Sequence, residues 1–161
     1  MGLALVGLLS YTACTAEKTA MKTDEPSNAV ASAPAAPKIV DGVFASSDHL
    51  LPVYFDLSQS KLTEKSAETV RANAEWLKAQ PPYLVRVVGY ADSRGSARKN
   101  QRLAERRALT VRDAYLALGL PKERISIAAR GAEEPACQPL TEECLSQSRR
   151  SETFIEDKTR T

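Results

Sequence analysis

One histidine, His49, is all the chain has in 161 residues. That scarcity removes Ser-His and Cys-His nucleophilic systems, and no two carboxylates stand in an evident acid and base arrangement, so catalysis is not expected. Zinc asks for about four ligands, which one distant histidine and three cysteines do not supply, so neither a metal nor another cofactor is expected. No Gly-x-Gly-x-x-Gly follows a strand, which excludes the dinucleotide fingerprint. Charge of one sign is missing too: 22 Lys and Arg against 20 Asp and Glu leave +2, so no nucleic acid partner is implied. No internal repeat is evident, and no apolar run reaches the roughly 20 residues of a spanning helix.

What is there begins with a short apolar stretch, Leu3 to Ala13, which reads as the end of a secretion signal. Ala13-Cys14 resembles the cleavage and lipidation point of bacterial lipoproteins, although Tyr11 stands where Leu is usual and no Lys or Arg precedes the run. Residues 1–14 are therefore read as a signal and lipoprotein segment with Cys14 as the lipidation site; the alternative is an ordinary cleaved signal. Residues 15–48 are largely Ala, Pro, Ser, Thr and Lys, too poor in large apolar side chains to offset ordering entropy. They read as a disordered tether, about 100 Å long when fully stretched and about 30 Å across as a coil.

Residues 49–157 carry the pattern of one folded domain. Pro52 to Asp56 reads as a strand, and Thr63 caps a helix whose Ala67, Val70, Ala74 and Leu77 recur at helical spacing until Pro81-Pro82. Tyr83 to Tyr90 is a Val-rich strand, and a second helix runs from near Ala97 to Leu118, where Gly119 and Pro121 end it. Ile125 to Ala129 and Glu152 to Glu156 are further strands. The order β-α-β-α-β-β implies an α+β two-layer sandwich, a mixed sheet with helices on one face. Cys137 and Cys144, in the segment between the last two strands, read as a disulfide, worth about 2.5 kcal/mol for so short a loop. Trp76 and the tyrosines read as core or boundary residues, and His49 as a solvated loop residue.

The second helix holds one anomaly. Leu103, Ala104, Ala108, Val111, Tyr115 and Leu118 fall within an arc of about 140°, the width of a core-facing stripe. Asn100 and Arg107 lie in the same arc, whereas Arg98, Arg102, Glu105, Arg106 and Arg112 point away. A guanidinium on the apolar side loses its hydration unless a carboxylate or a ring of acceptors meets it. Asp92, at the preceding strand exit, is one candidate partner, closing a partly buried ion pair. A ligand with an amino group beside a carboxylate would satisfy Asp92 and Arg107 together.

Val53-Tyr54-Phe55-Asp56, Gly89-Tyr90-Ala91-Asp92-Ser93-Arg94-Gly95-Ser96, Asn100-x-x-Leu103-Ala104-x-x-Arg107-Ala108-x-x-Val111 and Ser148-Arg149-Arg150 resemble the OmpA-like peptidoglycan-binding domain. The resemblance covers about residues 50–156. It implies that Asp92 takes the amino group and Arg107 the carboxylate of diaminopimelate in the peptidoglycan stem peptide, with Asn100 near the same pocket. It also implies a lipid-anchored place on the periplasmic face of the outer membrane, tying that membrane to peptidoglycan, and it supports the late disulfide. Three departures stand out: Tyr90 replaces the usual His, Ser148 replaces the Asn of Asn-Arg-Arg, and Leu57-Ser58-Gln59-Ser60 replaces an acidic run. The second reading is a periplasmic docking adaptor for a Tol-type protein, in which Asp92 and Arg107 form only a structural pair.

Overall fold

The computed structural model describes residues 39–40, 44–80, 83–139 and 141–156. The signal segment, Cys14, the tether up to residue 38 and Pro81-Pro82 lie outside the described residues. In chain order the elements are β1 (Ile39–Val40), β2 (Phe44–Ala45), β3 (Val53–Tyr54), α1 (Glu64–Ala79), β4 (Leu84–Tyr90), α2 (Ala97–Ala117), β5 (Ile125–Gly131), α3 (Glu142–Ser148) and β6 (Arg150–Glu156). The sheet runs β1-β2-β6-β4-β5, with β3 also paired to β6. Strand β4 is flanked by β5 in parallel and β6 antiparallel. Because β3 is likewise antiparallel to β6, the last strand is inserted between two strands of the same direction.

The α+β architecture expected from the sequence is the one found. Thr63 caps α1 as its position predicts, accepting from the Ser66 amide at 3.2 Å. Period-two alternation along β4 then sorts side chains to two faces. Val85 and Val87 enter a core with Val70, Ala74 and Leu77 of α1 and Ala108, Val111 and Tyr115 of α2. Val88 and Tyr90 meet Phe44 and Phe154 in a smaller cluster on the other face. Within the main core, Asn73 joins both backbone groups of Leu51, at 3.0 and 2.8 Å, to the Tyr115 hydroxyl at 3.3 Å, and that hydroxyl meets Thr153 at 2.8 Å. This satisfied polar chain ties the approach to β3, both long helices and β6 together.

Two expectations are corrected. The tether was placed up to residue 48, yet β1 pairs with β2, and β2 with β6 at Ala45 and Ile155. Phe44 is the reason: only 6% exposed, it closes the smaller cluster, with the Arg86 guanidinium 4.2 Å from its ring centre. One well-buried ring draws a short segment of otherwise tether-like sequence into the sheet. The β-α-β-α-β-β order places no helix after β5, yet that segment contains α3, capped by Thr141 accepting from the Cys144 amide at 3.3 Å. Seven residues are too few for helical periodicity to show in the sequence.

Cys137 and Cys144 are bonded, with Cα atoms 5.5 Å apart, and so fasten the preceding loop to α3. Replacing both by serine is expected to lower unfolding stability by about 2 to 3 kcal/mol, seen as a lower urea midpoint at unchanged slope. An unchanged midpoint would mean that α3 is held by its other contacts alone.

Candidate functional site

The end of β4 builds the site. The Ala91 amide donates to the Gly131 carbonyl at 2.6 Å, prolonging the β4–β5 contact just past the strand. Asp92 follows, 6% exposed. Its Oδ1 accepts from the Arg94 amide at 3.3 Å, an Asx-type turn, and Gly95 takes a positive φ of 99° to complete the reversal. Asn100, in the first turns of α2, donates from Nδ2 to the Asp92 carbonyl at 3.0 Å. The buried Asn of the helix thus fixes the turn that presents the carboxylate.

The carboxylate is met by two cations. Arg94 donates to Oδ2 from Nε at 3.2 Å and Nη2 at 2.7 Å, and Arg149 from Nη1 at 3.5 Å. Both arginines also reach Glu142 in the first turn of α3, Arg94 at 3.1 and 3.5 Å and Arg149 at 3.3 Å. Burial disfavours the ionised Asp92, but the hydrogen bonds and charge of Arg94, with help from Arg149, outweigh it and hold the carboxyl below its ordinary value of 3.8. A carboxylate depressed in this way contributes stability fully above its unfolded pKa and loses it as pH falls through the folded one. Asp92→Asn is therefore expected to flatten the acid limb of a thermal-stability profile below about pH 4. An acid limb identical to the parent's would count against this pairing.

Arg107 does not close the ion pair with Asp92 that the sequence offers as one reading. It is completely buried, and each arm of its fork ends on a backbone carbonyl: Nε on Gln59 at 2.9 Å, Nη1 on Tyr90 at 2.8 Å and Nη2 on Asp56 at 3.1 Å. No hydrogen bond or ion pair joins it to Asp92. Burial lowers its pKa to about 10, with the Asp92 charge opposing and Arg149 and Arg106 assisting, so it stays protonated at neutral pH. The ring of acceptors, rather than a direct carboxylate, is what meets this guanidinium. Arg149 holds the same chain segment from the other side, its Nε donating to the Phe55 carbonyl at 3.3 Å and its carbonyl accepting from the Phe55 amide at 2.8 Å.

Asp92, Asn100 and Arg107 are therefore gathered at one junction, with Tyr90 and Asp92 carbonyls held by Arg107 and Asn100 respectively. Arg94, Glu142 and Arg149 complete it. Arg94 and Arg149 lie inside the motifs at residues 89–96 and 148–150, which assign them no role, whereas Glu142 gives no signal in the sequence, since its partner Arg94 lies 48 residues away. Among the described residues no group of three or more His, Cys, Asp or Glu is placed to hold a metal ion.

Fold and site together define a binding domain of α+β type: an open sheet backed by helices, with a recessed carboxylate met by two guanidinium groups at the exit of β4. Residues 54–149 match the OmpA family, and the chain belongs to that family. It is 33% identical over 103 residues to the peptidoglycan-associated lipoprotein of Brucella melitensis, covering 64% of this chain and 61% of that protein. It thus spans less than two thirds of that relative's length. Against the peptidoglycan-associated lipoprotein of Mesorhizobium japonicum the identity is 28% over 155 residues, 95% of this chain and 89% of the relative. The crystal structure of the peptidoglycan-associated lipoprotein from Burkholderia pseudomallei superposes with a TM-score of 0.62 at 27% identity, covering 65% of this chain and 89% of that one. The C-terminal domain of Helicobacter pylori MotB, at 19% identity and TM-score 0.62 over 67% of this chain and 86% of that one, shares the fold.

Proposed function

We propose that this chain is a non-catalytic peptidoglycan-binding module on the periplasmic face of the outer membrane, anchored through lipid on Cys14 and gripping diaminopimelate in the stem peptide. Several relatives named as peptidoglycan-associated lipoproteins support the polymer and the anchor. One observation carries the finer assignment: Asp92 is a buried, ionised carboxylate whose outward partner, Arg94, is 41% exposed at its side chain and already shares its charge with Glu142. A ligand ammonium replaces Arg94 on Oδ2, and Glu142 retains the displaced guanidinium, so no charge is stranded. The ligand carboxylate is assigned to Arg107, which has to exchange a carbonyl of the 56–59 segment for it; Asn100 holds the turn meanwhile.

Co-sedimentation of the full chain with isolated sacculi tests this reading. Asp92→Asn keeps the side-chain shape and an acceptor but removes the charge, and is expected to weaken binding by about 10- to 100-fold, with a fall in unfolding midpoint smaller than that of an Arg107 variant. A variant that pellets with sacculi as well as the parent would refute the assignment of Asp92.

A further inference from the structure

Next to Asp92, a cleft of about 390 Å³ lies against the N-terminal half of α2, and its lining includes Arg94, Lys99, Arg102 and Arg106 with Asn100 and Ser58. Among the described residues no acidic one lines it. Lys99, Arg102 and Arg106 follow at i, i+3 and i+7, one stripe of the helix, and none of their side chains forms an ion pair or hydrogen bond with a described residue. Ordinary solvated faces mix signs, as the Arg112 and Asp113 pair does further along the same helix at 2.6 Å. Here Lys99, Arg102 and Arg106, with no partner among the described residues, converge on one concavity beside Arg94, which is paired with Asp92 and Glu142, and their local field concentrates anions.

The cleft is contiguous with the candidate site. Arg94 and Asn100 belong to both, the one bonded to the Asp92 carboxylate and the other to its carbonyl. A stem peptide whose diamino residue sits on Asp92 carries further charge close by: a γ-linked glutamyl residue leaves its α-carboxylate free immediately beside it. We propose that this cleft takes the free carboxylates flanking the diamino residue, so that the domain selects stem peptides by their unamidated acid groups. The proposal rests on the assignment of Asp92 to the ligand ammonium. Arg94 couples the two subsites, because the guanidinium that the ammonium displaces from Asp92 is shared between Glu142 and the lining of the cleft. A guanidinium suits a carboxylate through its planar, two-point fork.

Two stem peptides, identical except that the glutamyl α-carboxylate is free in one and a carboxamide in the other, are titrated into the full chain. The parent is expected to bind the acid form about 3- to 10-fold more tightly, with the preference shrinking as salt rises. In Arg102→Gln/Arg106→Gln, both exposed positions, the preference should fall to within about twofold while affinity for the amide form is kept. Equal binding of the two peptides by the parent, or an undiminished preference in the double variant, overturns the cleft. Asp92→Asn separates the two levels: loss of both peptides with no acid preference in the parent sinks the cleft alone, whereas parent-like binding of both by this variant sinks the Asp92 assignment and the cleft with it. Phosphatidylglycerol vesicles distinguish the other source of anions. Vesicle binding that depends on Arg102 and Arg106, without any acid preference among peptides, would assign the cleft to a lipid phosphate and overturn the proposal.

Discussion

Arg107→Met is expected to lower unfolding stability by about 3 to 5 kcal/mol, the largest effect of any single substitution at the site. Three hydrogen bonds from one buried guanidinium hold the carbonyls of Asp56 and Gln59 in one segment and of Tyr90 in another far along the chain. Methionine fills much of the stem volume but leaves those acceptors without donors, and each unsatisfied group costs about 1 to 3 kcal/mol. The Phe55 ring, 5.2 Å from the guanidinium carbon, loses a cation at the same time. Lysine does not rescue the site, because a single ammonium cannot address three acceptors spread around a planar fork. Urea denaturation of the full chain reads the effect directly, and a loss below about 1 kcal/mol would show that the carbonyls find other donors. Lost binding in Arg107 variants therefore mixes folding with recognition, which makes Asp92→Asn the cleaner probe of ligand contact.

Gly89→Ala is expected to be nearly as damaging, by about 3 kcal/mol or more. Gly89 lies in β4, on the face covered by α2, and an added Cβ would overlap the Ala104 carbonyl oxygen and lie 2.8 Å from its carbon and 3.2 Å from the Ala108 amide nitrogen. These are backbone atoms of a helix, not the ends of flexible side chains, so relief requires the helix to move off the sheet. That movement would carry Asn100 away from the Asp92 turn and Arg107 away from Tyr90. A lower midpoint together with weaker sacculus binding is the expected pair of results. A Gly89→Ala chain with parental stability would mean that α2 does not approach β4 so closely.

Much of the fold was legible because it rests on local regularities. The spacing of Ala67, Val70, Ala74 and Leu77 marks α1, and the stripe of Ala104, Ala108, Val111 and Tyr115 marks the buried face of α2. The same periodicity exposed Asn100 and Arg107 as polar residues on an apolar face, and both are buried, at 5% and 0% exposure. Phe44 and α3 were not legible. A two-residue strand and a seven-residue helix carry too little pattern; the first pairs with β6 and the second is fastened to the preceding loop through Cys137 and Cys144.

By itself the sequence determined that Arg107, a guanidinium on a helix's apolar face, needed a carboxylate or a ring of acceptors, with Asp92 at a strand exit as one candidate, since hydration lost on burial has to be replaced. Only the tertiary structure decided which partners those are: three backbone carbonyls for Arg107, and Arg94 with Arg149 for Asp92. The reason is one of range. Periodicity reports which face a residue occupies, a property of its own helix or strand, whereas the acceptors around Arg107 lie 17 to 51 residues away and Arg149 lies 57 from Asp92, so their meeting follows from chain topology alone.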